Sequence, residues 1–186
     1  MNKSFFLSPS VVLRATETAE QSLLHMLKKN YAKRSHFHVV ILNPAFDFTR
    51  GEGLDADNIP AEAILFEKSW GPIVEWKYDY SFYARSKALT AIRHQMPTSK
   101  IKDTDRVLLL QDGDAHLAGG VYEYGLAVGA SGVEECLDEA IAWNFSLISL
   151  SALQIRTKIF SWPAMILLLD IPQKYYTQKR VELLSF

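Results

Sequence analysis

The sequence predicts an α+β protein, with helices flanking one antiparallel sheet. Three observations predict it. Apolar residues recur at helical spacing near both ends of the 186-residue chain. Between them lie short β-branched runs and a glycine-rich segment that reads as a tight hairpin. The regular βα alternation that a doubly wound fold requires is absent.

The first element is a helix carrying Leu13, Ala19, Leu23, Leu24 and Leu27 near helical spacing. Its acidic residues come early and its basic ones late, which suits the helix dipole. Phe37 to Leu42 is a β-branched run read as a buried strand, stopped by Asn43 and Pro44. Residues 44–61 carry glycines, acids and Pro60 and read as a long loop. Ala61 to Lys68 is a short helix or a strand. Glu75 to Tyr80 alternates around Trp76, Tyr78 and Tyr80 and is expected to be a strand. Ser81 to Gln95 reads as a helix with Phe82, Ala84, Ala88, Leu89, Ala91 and Ile92 on one face, ended before Pro97. Val107 to Leu110 is an expected strand, and Asp112-Gly113-Asp114 a turn. Gly119 to Gly129 is the hairpin. Val133 to Leu153 is a final core helix with Leu137, Ile141, Phe145 and Ile148 at i, i+4, i+8 and i+11. Residues 1–153 are read as a single domain. Residues 154–186 are read as a C-terminal extension whose apolar run, Trp162 to Leu169, packs on the core or on a partner subunit.

Composition narrows the function classes. Hydrophobic residues make up 48% and charged residues 22%, both ordinary for a globular chain. Twenty Lys and Arg against twenty-one Asp and Glu leave a net charge of -1, so no global footprint for nucleic acid is expected. The longest apolar run is far short of the roughly 20 residues of a membrane span. One cysteine, Cys136, cannot pair internally and excludes multi-cysteine metal sites. It falls inside the last helix and is expected to be buried and inert. A cytoplasmic location is the expectation.

Candidate chemistry is sparse. His36 and His38 alternate along one strand face, either a metal pair or a solvated pair at a strand start. His94, with Met96 close by, and His116 are candidate axial haem ligands or surface histidines. Arg85 and Lys87 can meet a ligand carboxylate or phosphate, or form a solvated helix face. Being two residues apart they point about 200° apart on a helix. One of them, Arg85 with its planar fork, is expected to carry an anionic contact and the other to be solvated or structural. Ser131 and Gly132 open the last helix, whose free N–H groups can receive an anion. No GxGxxG, GK[ST], HExxH or GxSxG pattern is present.

Two segments, taken together, resemble a known family. The first is Ala84-Arg85-Ser86-Lys87-Ala88-Leu89-Thr90-Ala91, followed by Pro97-Thr98. The second is Gly119-Gly120-Val121, then Val128-Gly129-Ala130-Ser131-Gly132, then Asp138-Glu139-Ala140-Ile141-Ala142. In that order they are similar to the motifs of the GlcG/HbpS-like family of haem-binding and haem-associated proteins. Tyr122 stands where the family carries a proline. The resemblance implies an α–β sandwich, an antiparallel sheet of about five strands flanked by helices, together with frequent homo-oligomers and haem or a related planar anionic ligand in a groove beside the second helix and the hairpin. On that reading Arg85, Lys87, Gly119, Gly120, Ser131 and Gly132 form the cofactor site, and His94 or His116 approaches iron. The function expected is small-ligand binding, with a homo-oligomer and a possible protein partner through the C-terminal extension. The alternative is a non-enzymatic interaction or assembly subunit that keeps the fold without the ligand. An enzyme ranks last, because no acid–base pair or nucleophile constellation is visible in the sequence.

Overall fold

The computed structural model describes residues 9–28, 34, 36–48, 54–103 and 110–157, with side chains from Val12 to Leu24 in the first helix and up to Ser151 in the last. Its contacts divide the chain into two units, Met1–Leu153 and Gln154–Phe186. Of the second, only the end of a helix is described, so the expected packing of Trp162 to Leu169 lies outside the described residues.

The first unit contains helix α1 (Pro9–Lys28), strands β1 (Phe37–Leu42) and β2 (Ile64–Trp70), and helices α2 (Tyr80–His94) and α3 (Thr98–Asp103). Strands β3 (Gly120–Glu123) and β4 (Leu126–Ser131) follow, then helix α4 (Glu135–Thr157), whose last residues belong to the second unit. Among the described residues the sheet has four strands in the order β2-β1-β4-β3, every neighbouring pair antiparallel. A further strand at Val107 to Leu110 falls mostly outside them; Leu110 itself is in irregular backbone.

Both central strands, β1 and β4, are buried along their whole length. That is why Phe37 to Leu42 reads as a continuous apolar run rather than an alternation. Phe37, Val39 and Ile41 face a core made with Val12, Ala19 and Leu23 of α1 and Ile141, Ala142 and Phe145 of α4. Val40 and Leu42 point the other way, onto Ala84, Ala88 and Leu89 of α2. The sheet thus has helices on both faces. Each large side chain buried this way contributes about 1.5–3 kcal/mol.

Three local expectations are corrected. Glu75 to Tyr80 is not a strand: a single 3-10 turn at Ile73–Glu75 leads into Asp79, which caps α2 by accepting from the Phe82 N–H. The aromatic residues there meet edge to face instead, Trp76 against Tyr80 and Tyr78 against Tyr80. In α1 the buried stripe runs through Val12, Ala15, Ala19 and Leu23, which leaves Leu13 and Leu24 exposed. Cys136 is exposed, because it lies in the first turn of α4 on the side away from Ile141 and Phe145.

Helix α2 lies so close to the hairpin that its seat admits no side chain. A Cβ at Gly129 would fall 2.0 Å from the Ala84 carbonyl oxygen, and one at Gly120 2.2 Å from that of Lys87. This accounts for the small residues of the motif: Ala84 and Ala88 face β4 where a larger residue would push the helix off. The hairpin closes through Tyr124 and Gly125, both at positive φ, the backbone of a two-residue type I′ turn. Helix α2 ends with Gln95 in the left-handed region, two residues before Pro97. Thr98, buried at the start of α3, accepts from the Gly120 N–H at 2.9 Å and so satisfies the head of edge strand β3.

Candidate functional site

Three polar clusters and one groove surround α2. The first cluster lies between α2, β4 and α4. Lys87 is wholly buried, and its Nζ donates to Asp138 Oδ2 at 2.8 Å, to the Ala130 carbonyl at 3.0 Å and to Ser131 Oγ at 3.5 Å. Asp138 Oδ1 accepts the Val133 N–H at 3.1 Å, capping the entry to α4. Burial lowers the Lys87 ammonium and raises the Asp138 carboxyl, in each case against the attraction of the partner. Gly119, at φ 124°, leaves the room the ammonium needs: a Cβ there would stand 2.8 Å from Nζ. Gly132, at φ 138°, sits where a Cβ would fall 2.6 Å from the Phe37 Cα.

The second cluster centres on Asp114, whose carboxylate is fully buried. Arg93 Nη1 pairs with Oδ1, while His94 Nε2 lies 2.6 Å and the Gln111 N–H 2.8 Å from Oδ2. This fastens the 111–115 turn to the last turn of α2, with Thr90 Oγ1 accepting from the Ala115 N–H.

The third cluster stands on the α2 side of the sheet at its β2 edge. His38 and Ser69 are cross-strand partners, as are Val40 and Glu67. His38 Nδ1 lies 2.8 Å from Ser69 Oγ, and Nε2 lies 2.8 Å from Glu67 Oε1. Arg85 closes on Glu67 with both arms of its fork, Nε to Oε1 at 2.7 Å and Nη2 to Oε2 at 2.9 Å. Burial raises the Glu67 carboxyl, but the hydrogen bonds and charges of His38 and Arg85 outweigh it and bring it down to about 2.

The groove has a volume of about 510 Å3 and lies between the C-terminal half of α2, the hairpin and the 44–48 and 54 segments. Leu89 and Ile92 of α2, Tyr122 and Gly125 of the hairpin, and Phe46, Phe48 and Leu54 form its walls. Arg93, Gln95 and Gln111 supply N–H donors along it.

The structure gathers Lys87, Gly119, Ser131 and the Asp138 carboxylate at one place, with Gly120 against the Lys87 backbone. Gly132 packs on the start of β1. Arg85 is apart from them, on Glu67, and His94 belongs to the Asp114 cluster. His116 is exposed, and neither it nor His94 lines the groove. His38 is not a solvated histidine: it is 4% exposed, with both ring nitrogens engaged. No group of three metal-binding side chains occurs among the described residues, and no described helix is long and apolar enough to cross a membrane. Sequence reasoning missed Glu67, Ser69 and Asp114. Glu67 and Ser69 do alternate opposite His38 and Val40, yet only the β1–β2 register makes them neighbours. Asp114 was legible only as one side of a turn.

No family model matches the chain, and no curated protein matches it. Among solved structures it is similar to HbpS, at 20% identity and a TM-score of 0.51 over 80% of this chain and 93% of that one. It is also similar to the Klebsiella pneumoniae protein ORFY of DUF336, at 14% identity and a TM-score of 0.49, covering 83% of this chain and 97% of that one. A third likeness is to the Ybr137w protein, at 16% identity and a TM-score of 0.47, covering 73% and 77%. The resemblance carried by residues 84–98 and 119–142 extends to the architecture, and the chain has the α+β fold of HbpS.

Proposed function

We propose that the protein binds a planar, largely apolar small molecule with an anionic group, haem and other porphyrins being of that class. The observation that carries this reading is the groove beside α2 and the hairpin. Its volume, about 510 Å3, falls within the roughly 300–1,000 Å3 of small-molecule sites. Leu89, Ile92, Phe46, Phe48 and Tyr122 give the ligand apolar and aromatic walls, and Arg93 with Gln95 and Gln111 gives a carboxylate its donors. The motif resemblance to haem-associated proteins and the HbpS fold support the same class of ligand.

The lining fits a macrocycle and a carboxylate better than it fits iron. Among the described lining residues Tyr122 alone has a side chain of the haem-ligating kind. His94 keeps Nε2 on Asp114, which leaves Nδ1 as its coordinating nitrogen. Lys87 commits its ammonium to Asp138 away from the groove, whereas Arg93, ion-paired with Asp114 through Nη1, lines the groove and is the cation a ligand carboxylate would share with Asp114. Titrations with hemin and with metal-free protoporphyrin test the reading. Both are expected to saturate at micromolar concentration, and Ile92→Trp, which fills the groove, is expected to abolish both. Arg93→Gln is expected to weaken binding by about 1–3 kcal/mol, the range for a hydrogen bond to a charged group. Absence of saturable binding, or binding indifferent to Ile92→Trp, refutes the proposal.

A second reading, an assembly subunit, has one observation in its favour. Ile73 is 60% and Val74 96% exposed, and Tyr78 and Tyr83 are also exposed nearby in the chain. Light scattering on the double variant Ile73→Asp/Val74→Asp tests it: a self-associating wild type and a smaller variant support the reading, and identical masses remove it.

A further inference from the structure

The Ser69–His38–Glu67 array has the connectivity of an activated nucleophile. We propose that Ser69 is an acyl-accepting nucleophile toward small carboxylic esters, with His38 as its general base. The argument starts from Glu67. Its two oxygens receive three donors, two from Arg85 and one from His38. With the carboxyl down at about 2 it is ionised at any working pH and accepts only. The His38 Nε2 facing it must therefore carry a proton. In the neutral ring that leaves the lone pair on Nδ1, which lies 2.8 Å from Ser69 Oγ. This is the tautomer a base needs to take the hydroxyl proton, held by a carboxylate on the far side of the ring. Glu67 is a positioning residue, and Arg85 fixes it in turn.

The surroundings suit the step. His38 is buried with both ring nitrogens engaged, whereas Ser69 is half-buried and lies on edge strand β2. Trp76 stands edge-on to the His38 ring at 6.1 Å, and its buried indole N–H has no partner among the described residues. That N–H, on the ring next to His38, is the donor we assign to the oxygen that becomes negative when an ester carbonyl is attacked.

In the forward step Ser69 Oγ bonds to the carbonyl carbon and its proton passes to His38 Nδ1. The tetrahedral adduct collapses, the carbon–oxygen bond to the alcohol breaks, and Nδ1 returns the proton to the leaving oxygen. Water then attacks the acyl-serine with proton transfer to Nδ1. The acid departs, and Oγ recovers the proton.

The full chain is treated with a fluorophosphonate and mapped by peptide mass, and p-nitrophenyl acetate hydrolysis is followed from pH 5 to 9. A single adduct is expected on the peptide containing Ser69, absent in Ser69→Ala. Hydrolysis is expected to rise with pH and to fall about a hundredfold in His38→Gln. Lack of an adduct on Ser69 in the wild type overturns the proposal. So does a flat pH profile, or equal labelling in His38→Gln that is folded by circular dichroism. Should that variant not fold, the wild-type pH profile and Ser69→Ala decide. Porphyrin binding in the groove is expected to be unchanged by Ser69→Ala, which keeps this result separate from the ligand reading.

Discussion

Replacing Lys87 with Met is expected to cost about 3–5 kcal/mol, because it strands a carboxylate rather than merely removing a bond. Met keeps the length and apolar volume of the Lys stem, so little cavity is made. What changes is Asp138, 5% exposed, which loses the ammonium at 2.8 Å and keeps only the Val133 N–H. The Ala130 carbonyl also loses its Nζ–H donor. Four kcal/mol corresponds to about a thousandfold in the unfolding equilibrium. The carboxyl has one escape, which is to take up a proton. Burial already raises it, and without Lys87 it rises further. The folded variant then binds a proton more tightly than the unfolded chain does. The contribution linked to this carboxyl is therefore fully present below the ordinary Asp range and is lost as pH climbs through the raised folded value. Urea denaturation at pH 5 and pH 8 measures this. The deficit of Lys87→Met should be larger at pH 8, and Lys87→Met/Asp138→Asn, which keeps an acceptor for Val133, should recover much of it. A deficit under about 1 kcal/mol at pH 8, or one indifferent to pH, would show that the pair is not an isolated buried ion pair.

Gly129→Ala places a methyl against backbone rather than a movable side chain. It is expected to cost at least about 3 kcal/mol in thermal or urea unfolding. Thr98→Val leaves the buried Gly120 N–H without its acceptor and should cost about 1–3 kcal/mol by the same measurement. Glu67, brought from 4.5 to about 2 on folding, should contribute about 3 kcal/mol that is fully present above pH 4.5 and lost as pH falls toward 2. Acid titration of stability in the wild type and in Glu67→Gln reads this out, since the variant should lack that part of the slope.

How much the sequence disclosed depended on where each signal resides. Phe37 to Leu42, Ser81 to Gln95, the hairpin and the last helix were legible because each carries its own period or turn residues. The 75–80 alternation misled because aromatics at period two can also meet one another edge to face outside a strand, as Trp76, Tyr78 and Tyr80 do. Leu13 was placed on the wrong side of α1 because large residues outweighed Val12, Ala15 and Ala19, the small ones that face the sheet. The 200° argument did separate Arg85 from Lys87, and the structure gives Lys87 the buried role. Its partner Asp138, 51 residues on in sequence, carried no local mark of the pairing. The Ser69–His38–Glu67 array was invisible for the same reason: strand register, not spacing, assembles it.

Helix α2 meets the hairpin main chain to main chain at Gly120 and Gly129. A helix seated on long side chains can roll or slide as their rotamers change, while one seated on carbonyl groups has nothing to rearrange. One jaw of the groove is therefore stationary, since Leu89 and Ile92 ride on that helix and Tyr122 on the hairpin it grips. The opposite jaw, Pro44, Phe46, Phe48 and Leu54, belongs to irregular segments outside the sheet, and on the proposed ligand reading it is the side that accommodates molecules of different outline. On that reading selectivity should be tuned by substitutions at Phe46, Phe48 and Leu54, with α2 and the hairpin left as they are.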